Sequence, residues 1–261
     1  MSLDEDEAAS DYPAYLSRED GGDLIIAASD HLRRVLQTDG RPYWEADTPR
    51  QKKSLGEWGG ELGLLLSHGP WIKGFRRGGQ EHDVFEPLDP SRIFKLTREG
   101  VFGLTPGIEL ALVASNEEGR RFHLWEASPY QYLERLRLQN IVTPGLNRLE
   151  GLVFNQNELS ILTSQPRFEI NPVSQEEIDA WFLSFGFQKI TTSAYYREAD
   201  NLGIFDAHDK NVVRAGDTLV PFDIIPCHPE EGFLSFIQDS LDAGSTLSAV
   251  RTVSTHTSPS S

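Results

Sequence analysis

The 261-residue sequence contains a single cysteine, Cys227, which excludes an intramolecular disulfide. One free thiol favours a reducing compartment, so we expect a cytoplasmic protein. The chain also lacks any apolar run close to the length of about 18 residues that spans a bilayer. Its N-terminus has no apolar stretch flanked by basic residues, as a secretory signal would have. Export and membrane insertion are therefore not predicted.

Basic residues are also few: 24 Lys and Arg stand against 40 Asp and Glu, for a net charge of -16. Nonspecific binding to nucleic acids or to anionic membranes depends on basic surface. We therefore expect no nucleic-acid partner and no membrane partner. The Gly-x-Ser-x-Gly, His-Glu-x-x-His and P-loop signatures are absent as well, which excludes the commoner hydrolases and P-loop NTPases.

The residues that are present predict a folded centre between two polar ends. Hydrophobic residues make up 38% of the chain, which is enough for a core or for two lobes. The acidic start predicts a flexible leader at 1–29, followed by a helical N-terminal extension at 30–74. The end, 244–261, contains ten Ser or Thr residues and predicts a disordered tail. The folded domain is expected at 75–243.

Local patterns within this centre alternate between strands and helices. Asp30 is in a position to cap a helix, and the runs around 83–96 predict an antiparallel hairpin. Ser128-Pro129 predicts a helix start, and a strand pair is expected over 149–163. A capping box at Ser174 predicts a further helix. Hairpin, helix, strand pair and helix in succession indicate an α+β fold.

The stretch IFDAHDKNVV, residues 204–213, concentrates polar side chains between apolar pairs. If Val212-Val213 pairs with Leu219-Val220 as a hairpin, Asn211 and Asp223 meet at its open end, with Asp206 just before them. An Asp can orient an acceptor hydroxyl, and Asn and Asp oxygens suit Mg²⁺. This combination is typical of phosphoryl transfer, in which charge on the transferred group must be neutralised.

The pattern D-x-H-x-x-N, followed seventeen residues after its first Asp by Asp223, resembles the protein-kinase-like superfamily, especially its atypical and small-molecule branches. The runs GGQEHDVF, FKLT, YLERLRLQN and LTSQP are similar to kinase-like domains of polyvalent proteins of phages and mobile elements. The resemblance implies a two-lobed fold with a mainly antiparallel N-lobe sheet, about 75–164, and a shortened C-lobe, about 165–243.

The resemblance further implies ATP and Mg²⁺ as cofactors and an unidentified small-molecule or protein acceptor. Each site residue then has an expected role. Asp206 is expected to be catalytic, and Asn211 and Asp223 to be metal ligands. Lys95 is expected to contact the nucleotide, positioned by Glu134 or, as the fallback, by Glu109. A turn at Gly78 and Gly79 is expected to face the phosphates, and a hinge at Gln165 to lie beside the adenine.

Some features depart from the kinase pattern and leave alternatives open. The glycine turn is not G-x-G-x-x-G, Ile224 follows Asp223 where many kinases have Gly, and little chain follows to hold an acceptor. One alternative is a catalytically inactive kinase-like module that binds a protein partner. A second is an α+β protein of another kind, whose loop is simply solvated. A third is a transition-metal site, formed by Asp206, His208 and Asp209 with His228 or His82.

Overall fold

A computed structural model of the protein describes residues 20–37, 47–67, 75–78, 81–85, 91–112, 118–155, 158–169 and 171–242. Within these residues the helices are α1 (Gly21–Gln37), α2 (Thr48–Glu61), α3 (Pro129–Val142), α4 (Gln175–Ser184) and α5 (Glu231–Asp242). The strands of the same residues are β1 (Leu65–Leu66), β2 (Arg76–Arg77), β3 (His82–Phe85), β4 (Arg92–Thr97), β5 (Leu104–Leu112), β6 (Glu118–Glu126), β7 (Arg148–Asn155), β8 (Glu158–Pro166), β9 (Gln188–Thr191), β10 (Ala194–Arg197), β11 (Leu202–Phe205), β12 (Val212–Ala215), β13 (Thr218–Pro221) and β14 (Ile225–Cys227).

The chain folds into two compact units. The first unit comes from Met1–Gly103 and Glu126–Asn171, and the second comes from Leu104–Trp125 and Pro172–Ser261. Helices and sheets occur together. In the six-stranded and four-stranded sheets of the described residues, β1 pairs parallel with β7, and the other strand pairs are antiparallel. The α+β fold class is confirmed. No described helix has the length and hydropathy needed to cross a membrane.

The first unit contains a sheet of six strands in the order β1-β7-β8-β4-β3-β2. The predicted hairpin is confirmed, because β3 pairs antiparallel with β4 and Val84 lies opposite Lys95. The predicted strand pair is also confirmed, as β7 and β8 pair antiparallel. Helix α3 begins as predicted: Ser128 and Gln131 form a reciprocal capping box, and Pro129 takes the first turn.

The N-terminal helices are part of the core of the first unit. Ile25, Ala28 and Leu32 on α1 are fully buried in a cluster that includes Leu133 of α3 and Leu149 of β7. Burial of a side chain such as Ile25 or Leu32 contributes about 1.5–3 kcal/mol. Ile25 and Ala28 belong to the predicted leader, and Leu32 belongs to the predicted extension together with Leu55 of α2, so both segments supply core to this unit.

Two details of the N-terminal prediction differ from the structure. Helix α1 begins at Gly21, so the expected cap at Asp30 is wrong: that residue lies inside the helix and pairs with Arg33. The predicted flexible leader at 1–29 overlaps α1 from Gly21 onward, because the apolar face of this helix is buried. Residues 1–19 of the leader and the tail at 244–261 lie outside the described residues.

The second unit is built around a sheet in the order β14-β11-β10-β9. Phe205, Phe233 and Ile237 belong to its buried core, and α5 supplies two of these residues. The β5–β6 hairpin contributes Phe122, which stacks on Phe205 at 5.1 Å and on Phe233 at 6.3 Å between ring centroids. Helix α4 starts with the predicted capping box at Ser174 and Glu177.

Candidate functional site

A loop of six residues connects β11 to β12 and carries the predicted catalytic Asp206 and the predicted metal ligand Asn211. Its first residue, Asp206, has a positive φ of 59°. Apart from glycine, this left-handed conformation is adopted mainly by Asn and Asp, at a cost of about 1–3 kcal/mol that the surrounding structure must offset. Strained backbone of this kind is frequent at functional sites.

Asn211, at the other end of the loop, is bound to Asp206. Its Nδ2 donates to the main-chain oxygen of Asp206 at 2.8 Å and to the carboxylate Oδ2 at 3.0 Å. The residue is only 9% exposed. Because Nδ2 is a donor and contacts these atoms, the amide oxygen Oδ1 is the atom of Asn211 that could bind a cation.

Asp223 reaches the same place through a hairpin. Strands β12 and β13 pair with Val212 opposite Pro221, which returns the chain to Asn211. The main-chain oxygen of Asn211 accepts the N–H of Phe222 at 3.0 Å and of Asp223 at 3.3 Å. The predicted meeting of Asn211 and Asp223 at the open end of this hairpin is confirmed.

His208 supports the loop from within. Its main-chain oxygen accepts from Asn211 N at 2.9 Å, and its Nδ1 accepts from Lys210 N at 3.2 Å. Its Nε2 lies 3.5 Å from Asp206 Oδ1 and 3.4 Å from Asn211 Nδ2. His208 thus braces the loop through its main chain and its ring.

The transition-metal alternative receives no support from the two histidines proposed for it. His228 Nδ1 lies 2.8 Å from the main-chain oxygen of Asn201, and His82 Nε2 lies 2.9 Å from the hydroxyl of Tyr132. In the described part of the chain, no group of three or more His, Cys, Asp or Glu side chains is arranged to hold a metal ion. Asp206, Asn211 and Asp223 differ from such a group because one of them is an amide.

Lys95 and Gln165 lie on neighbouring strands of the first unit. Lys95 is half-buried on β4, opposite Thr163 of β8, and Gln165 lies opposite Ile93. Gln165 is 3% exposed, and among the described residues its side-chain Oε1 has no hydrogen-bond partner. A buried acceptor without a partner costs about 1–3 kcal/mol.

Gly78 begins the turn between β2 and β3. Its N–H donates to His82 O at 3.1 Å, and a Cβ added to it would lie 2.1 Å from a methyl carbon of Val84. This close approach requires glycine at position 78. Gly79, the other predicted phosphate-facing residue, lies outside the described residues.

Glu134 lies on α3, and its carboxylate forms hydrogen bonds with residues other than the predicted partner, Lys95. Arg137 donates to it at 2.5 and 2.8 Å, Ser29 at 2.7 Å and Arg33 at 3.3 Å. Burial opposes its charge, but the hydrogen bonds from Arg137 and Ser29 outweigh burial and lower the pKa of Glu134. The predicted pairing with Lys95 stays a prediction. The fallback, Glu109, lies on β5 with its carboxylate 3.7 Å from His123 Nδ1.

Two contacts of α3 were not predicted from the sequence. Arg135, which is 6% exposed, donates to Glu81 Oε2 at 3.0 Å, and Tyr132 contacts His82 as described above. Both contacts join α3 to the segment that directly follows the glycine turn. The partners are about fifty residues apart in the sequence, with no motif to connect them.

Comparison with known proteins yields one match. A family model described as Serine/Threonine/Tyrosine Kinase found in polyvalent proteins matches residues 123–226. The matched segment includes Glu134, Gln165, Asp206, Asn211 and Asp223, and it excludes Lys95 and Gly78. No curated protein and no solved structure matches the chain.

Proposed function

We propose that the protein is an ATP- and Mg²⁺-dependent phosphotransferase. The proposal starts from the match of residues 123–226, which supports a kinase-like domain of polyvalent proteins and suggests a phosphotransferase-like function. In this proposal the chain has the two-lobed arrangement of kinases. The nucleotide is bound by residues of the first unit, and the catalytic loop belongs to the second. The acceptor is a hydroxyl of a small molecule or of a protein.

The observation that carries the proposal is the junction at Asn211. One residue binds Asp206 through its side chain and the Asp223 main chain through its carbonyl. Asp206, with its carboxylate partly exposed, would orient the acceptor hydroxyl and accept its proton. Because the groups are fixed before substrate arrives, no ordering cost is incurred at the moment of transfer.

The donor set at this junction fits a hard cation. Asn211 Oδ1 and the Asp223 carboxylate would hold Mg²⁺, which usually takes one or two protein oxygens and completes its shell with water and phosphate oxygens. When bound, the ion would neutralise charge on the transferred phosphoryl group.

The first unit would supply the nucleotide contacts. The Lys95 ammonium would bind the phosphates, and the turn that begins at Gly78 would lie beside them. Gln165 would lie beside the adenine, where its buried Oε1 is an acceptor that an amino group of the base could satisfy.

Nucleotide binding can be tested by isothermal titration of ATP with Mg²⁺. We expect the wild type to bind, and Lys95→Ala and Asp223→Ala to weaken binding by about tenfold or more, a loss of about 1.4 kcal/mol or more. Matched controls are Lys53→Ala and Asp217→Asn, which alter exposed residues of the same types. No binding by the wild type, or undiminished binding by both variants, would overturn the proposal.

Phosphate transfer separates the enzyme from the inactive module. Labelled ATP would be offered with a mixed pool of small molecules and proteins, including the protein itself. Transfer that Asp206→Asn reduces by about 100-fold or more would exclude the inactive module. Nucleotide binding without transfer to any member of the pool would instead favour it.

A further inference from the structure

Ala207, the residue after Asp206, is anchored on both sides of its backbone. Its N–H donates to the main-chain oxygen of Ser193 at 3.0 Å. Its own main-chain oxygen accepts from the side-chain Nε2 of Gln175 at 3.3 Å. Ala207 is completely buried, so neither group has water as an easy substitute.

The amide of Gln175 is itself held by a network on α4 and β10. Besides Ala207 O, its Nε2 lies 2.9 Å from the hydroxyl of Tyr195 and 3.2 Å from Asp179 Oδ1. The Tyr195 hydroxyl donates to Asp179 Oδ1 at 2.5 Å, and Lys189 pairs with Asp179 Oδ2. Gln175 is therefore restrained at the end that contacts the loop.

The groups around Gln175 have settled protonation states. Burial and the neighbouring Asp179 raise the pKa of Tyr195, so its hydroxyl keeps its proton. Burial opposes charge on Asp179, but hydrogen bonds from Lys189, Tyr195 and Gln175 outweigh burial and lower its pKa. The Tyr195 ring is fully buried and stacks on Phe182 at 4.4 Å between centroids. The network is therefore fixed in position as well as in charge.

Asp206 needs such support because of its own backbone. A non-glycine residue with φ of 59° keeps this conformation only when its neighbours determine it. Asn211 holds Asp206 on the side of the cation ligands. Ser193 and Gln175 hold the N–H and the carbonyl of the next residue, Ala207.

We propose that Gln175, held by Tyr195 and Asp179, is a positioning residue that fixes the orientation of Asp206 through the Ala207 carbonyl. The proposal rests on the proposed function for its effect on catalysis. Loss of Gln175 lowers the rate of transfer, because the Asp206 carboxylate leaves its productive position. Nucleotide binding changes little, because Lys95 lies on β4 and the main-chain oxygen of Asn211 still accepts from Phe222 and Asp223.

The test compares the wild type with Gln175→Ala, Tyr195→Phe and a control, Glu176→Gln, which alters an exposed residue of the same helical turn. Hydrogen exchange of peptides covering 202–212 reports on the loop without any need for activity. Turnover of MgATP gives kcat and KM.

In Gln175→Ala we expect loop exchange to rise by about tenfold, and kcat to fall by about 10- to 100-fold with KM for ATP within about twofold. Tyr195→Phe should show the same pattern more weakly, and the control should show neither change.

Unchanged loop exchange in Gln175→Ala overturns the positioning role, whatever happens to activity. A parallel loss of kcat and of ATP binding also counts against it, because a general loss of structure gives that result. If Gln175→Ala does not fold, Tyr195→Phe decides, since it keeps the buried ring and removes only the hydroxyl. If the wild type shows no MgATP turnover, the proposed function fails, and the exchange experiment still decides the positioning role.

Discussion

At the scale of single residues, Asp206 combines two requirements that few residue types satisfy. Its carboxylate must be available to a substrate, and its backbone must take a left-handed conformation. Asp and Asn tolerate that conformation better than other residues with a Cβ, because a short polar side chain can bond locally. Asp at this position therefore serves the chemistry and the turn together.

Replacing Asp206 by Asn or by Ala should separate these two roles. Both variants should lose phosphate transfer, because neither can accept the proton of the acceptor. Only Asp206→Ala should lose stability, by about 1–2 kcal/mol, since alanine adopts the left-handed region at that cost. Urea denaturation at pH 7 measures the difference. Equal stability of the Ala and Asn variants would show that the backbone conformation of residue 206 carries no strain.

At the scale of elements, α3 is held by charged side chains on two sides. Glu134 binds Ser29 and Arg33 of α1, and Arg135 binds Glu81 beside β3. The adjacent residues Glu134 and Arg135 thus carry opposite charges and bind different segments of the first unit. Loss of one such contact leaves the partner charge without compensation in a half-buried place, which makes these contacts costly to break.

Glu134→Gln should lower stability at neutral pH and have less effect in acid. The pKa of Glu134 is lowered in the folded protein from its ordinary value of 4.5, so its contribution is complete above that value. The contribution is lost as the pH falls through the lowered pKa. We expect a loss of about 1–3 kcal/mol at pH 7 and a smaller difference near pH 3. Urea denaturation at both pH values tests this, with the exposed Glu57→Gln as the control. A difference that grows in acid would contradict the assignment.

The β5–β6 hairpin should be necessary for the core of the second unit. Phe122→Ala removes a ring that stacks on Phe205, the residue directly before Asp206, and on Phe233. We expect a loss of about 1–3 kcal/mol, because the ring is only partly buried. Hydrogen exchange of the β11 segment should rise at the same time. Trp125→Ala in the same hairpin is the control, since Trp125 is 44% exposed. Equal effects of both changes would argue against this packing.

The elements that were predicted correctly have local signals. Ser128 and Ser174 both cap helices through the residue three positions later, and this spacing is visible in the sequence. The β5–β6 hairpin has no such signal, because its apolar residues pack on Phe205 and Phe233 about a hundred residues away. The cap at Asp30 is wrong because the apolar face of α1 begins earlier, at Ile25.

The candidate site also divides into contacts with a local sequence signal and contacts between residues far apart in the sequence. Asn211 and Asp223 could be brought together from the sequence because a short hairpin connects them. The partners of Glu134 could not, because the helix offers Arg137 three residues away and α1 adds Arg33 from about a hundred residues earlier. Gln175 also went unnoticed, since its contact with Ala207 depends on how α4 packs beside β10.

At the scale of the whole molecule, the chain passes between its two units at residues 103/104, 125/126 and 171/172. The net charge of -16 is a second property of the whole molecule. A field of this sign repels nucleic acids, and it also repels MgATP, which carries negative charge itself. The proposed substrate must therefore approach against the average field of the protein.

This repulsion gives a prediction about salt. Added salt screens charges beyond a Debye length, which falls from about 20 Å at low ionic strength to about 8 Å at 0.15 M. We therefore expect the association rate of MgATP to rise by a few-fold between about 0.02 and 0.2 M KCl. Stopped-flow measurements would give this rate, with uncharged adenosine as the reference ligand whose association should not change. A rate that falls with salt would mean that positive charge near the nucleotide, Lys95 above all, outweighs the net charge of the molecule at the distances that control association.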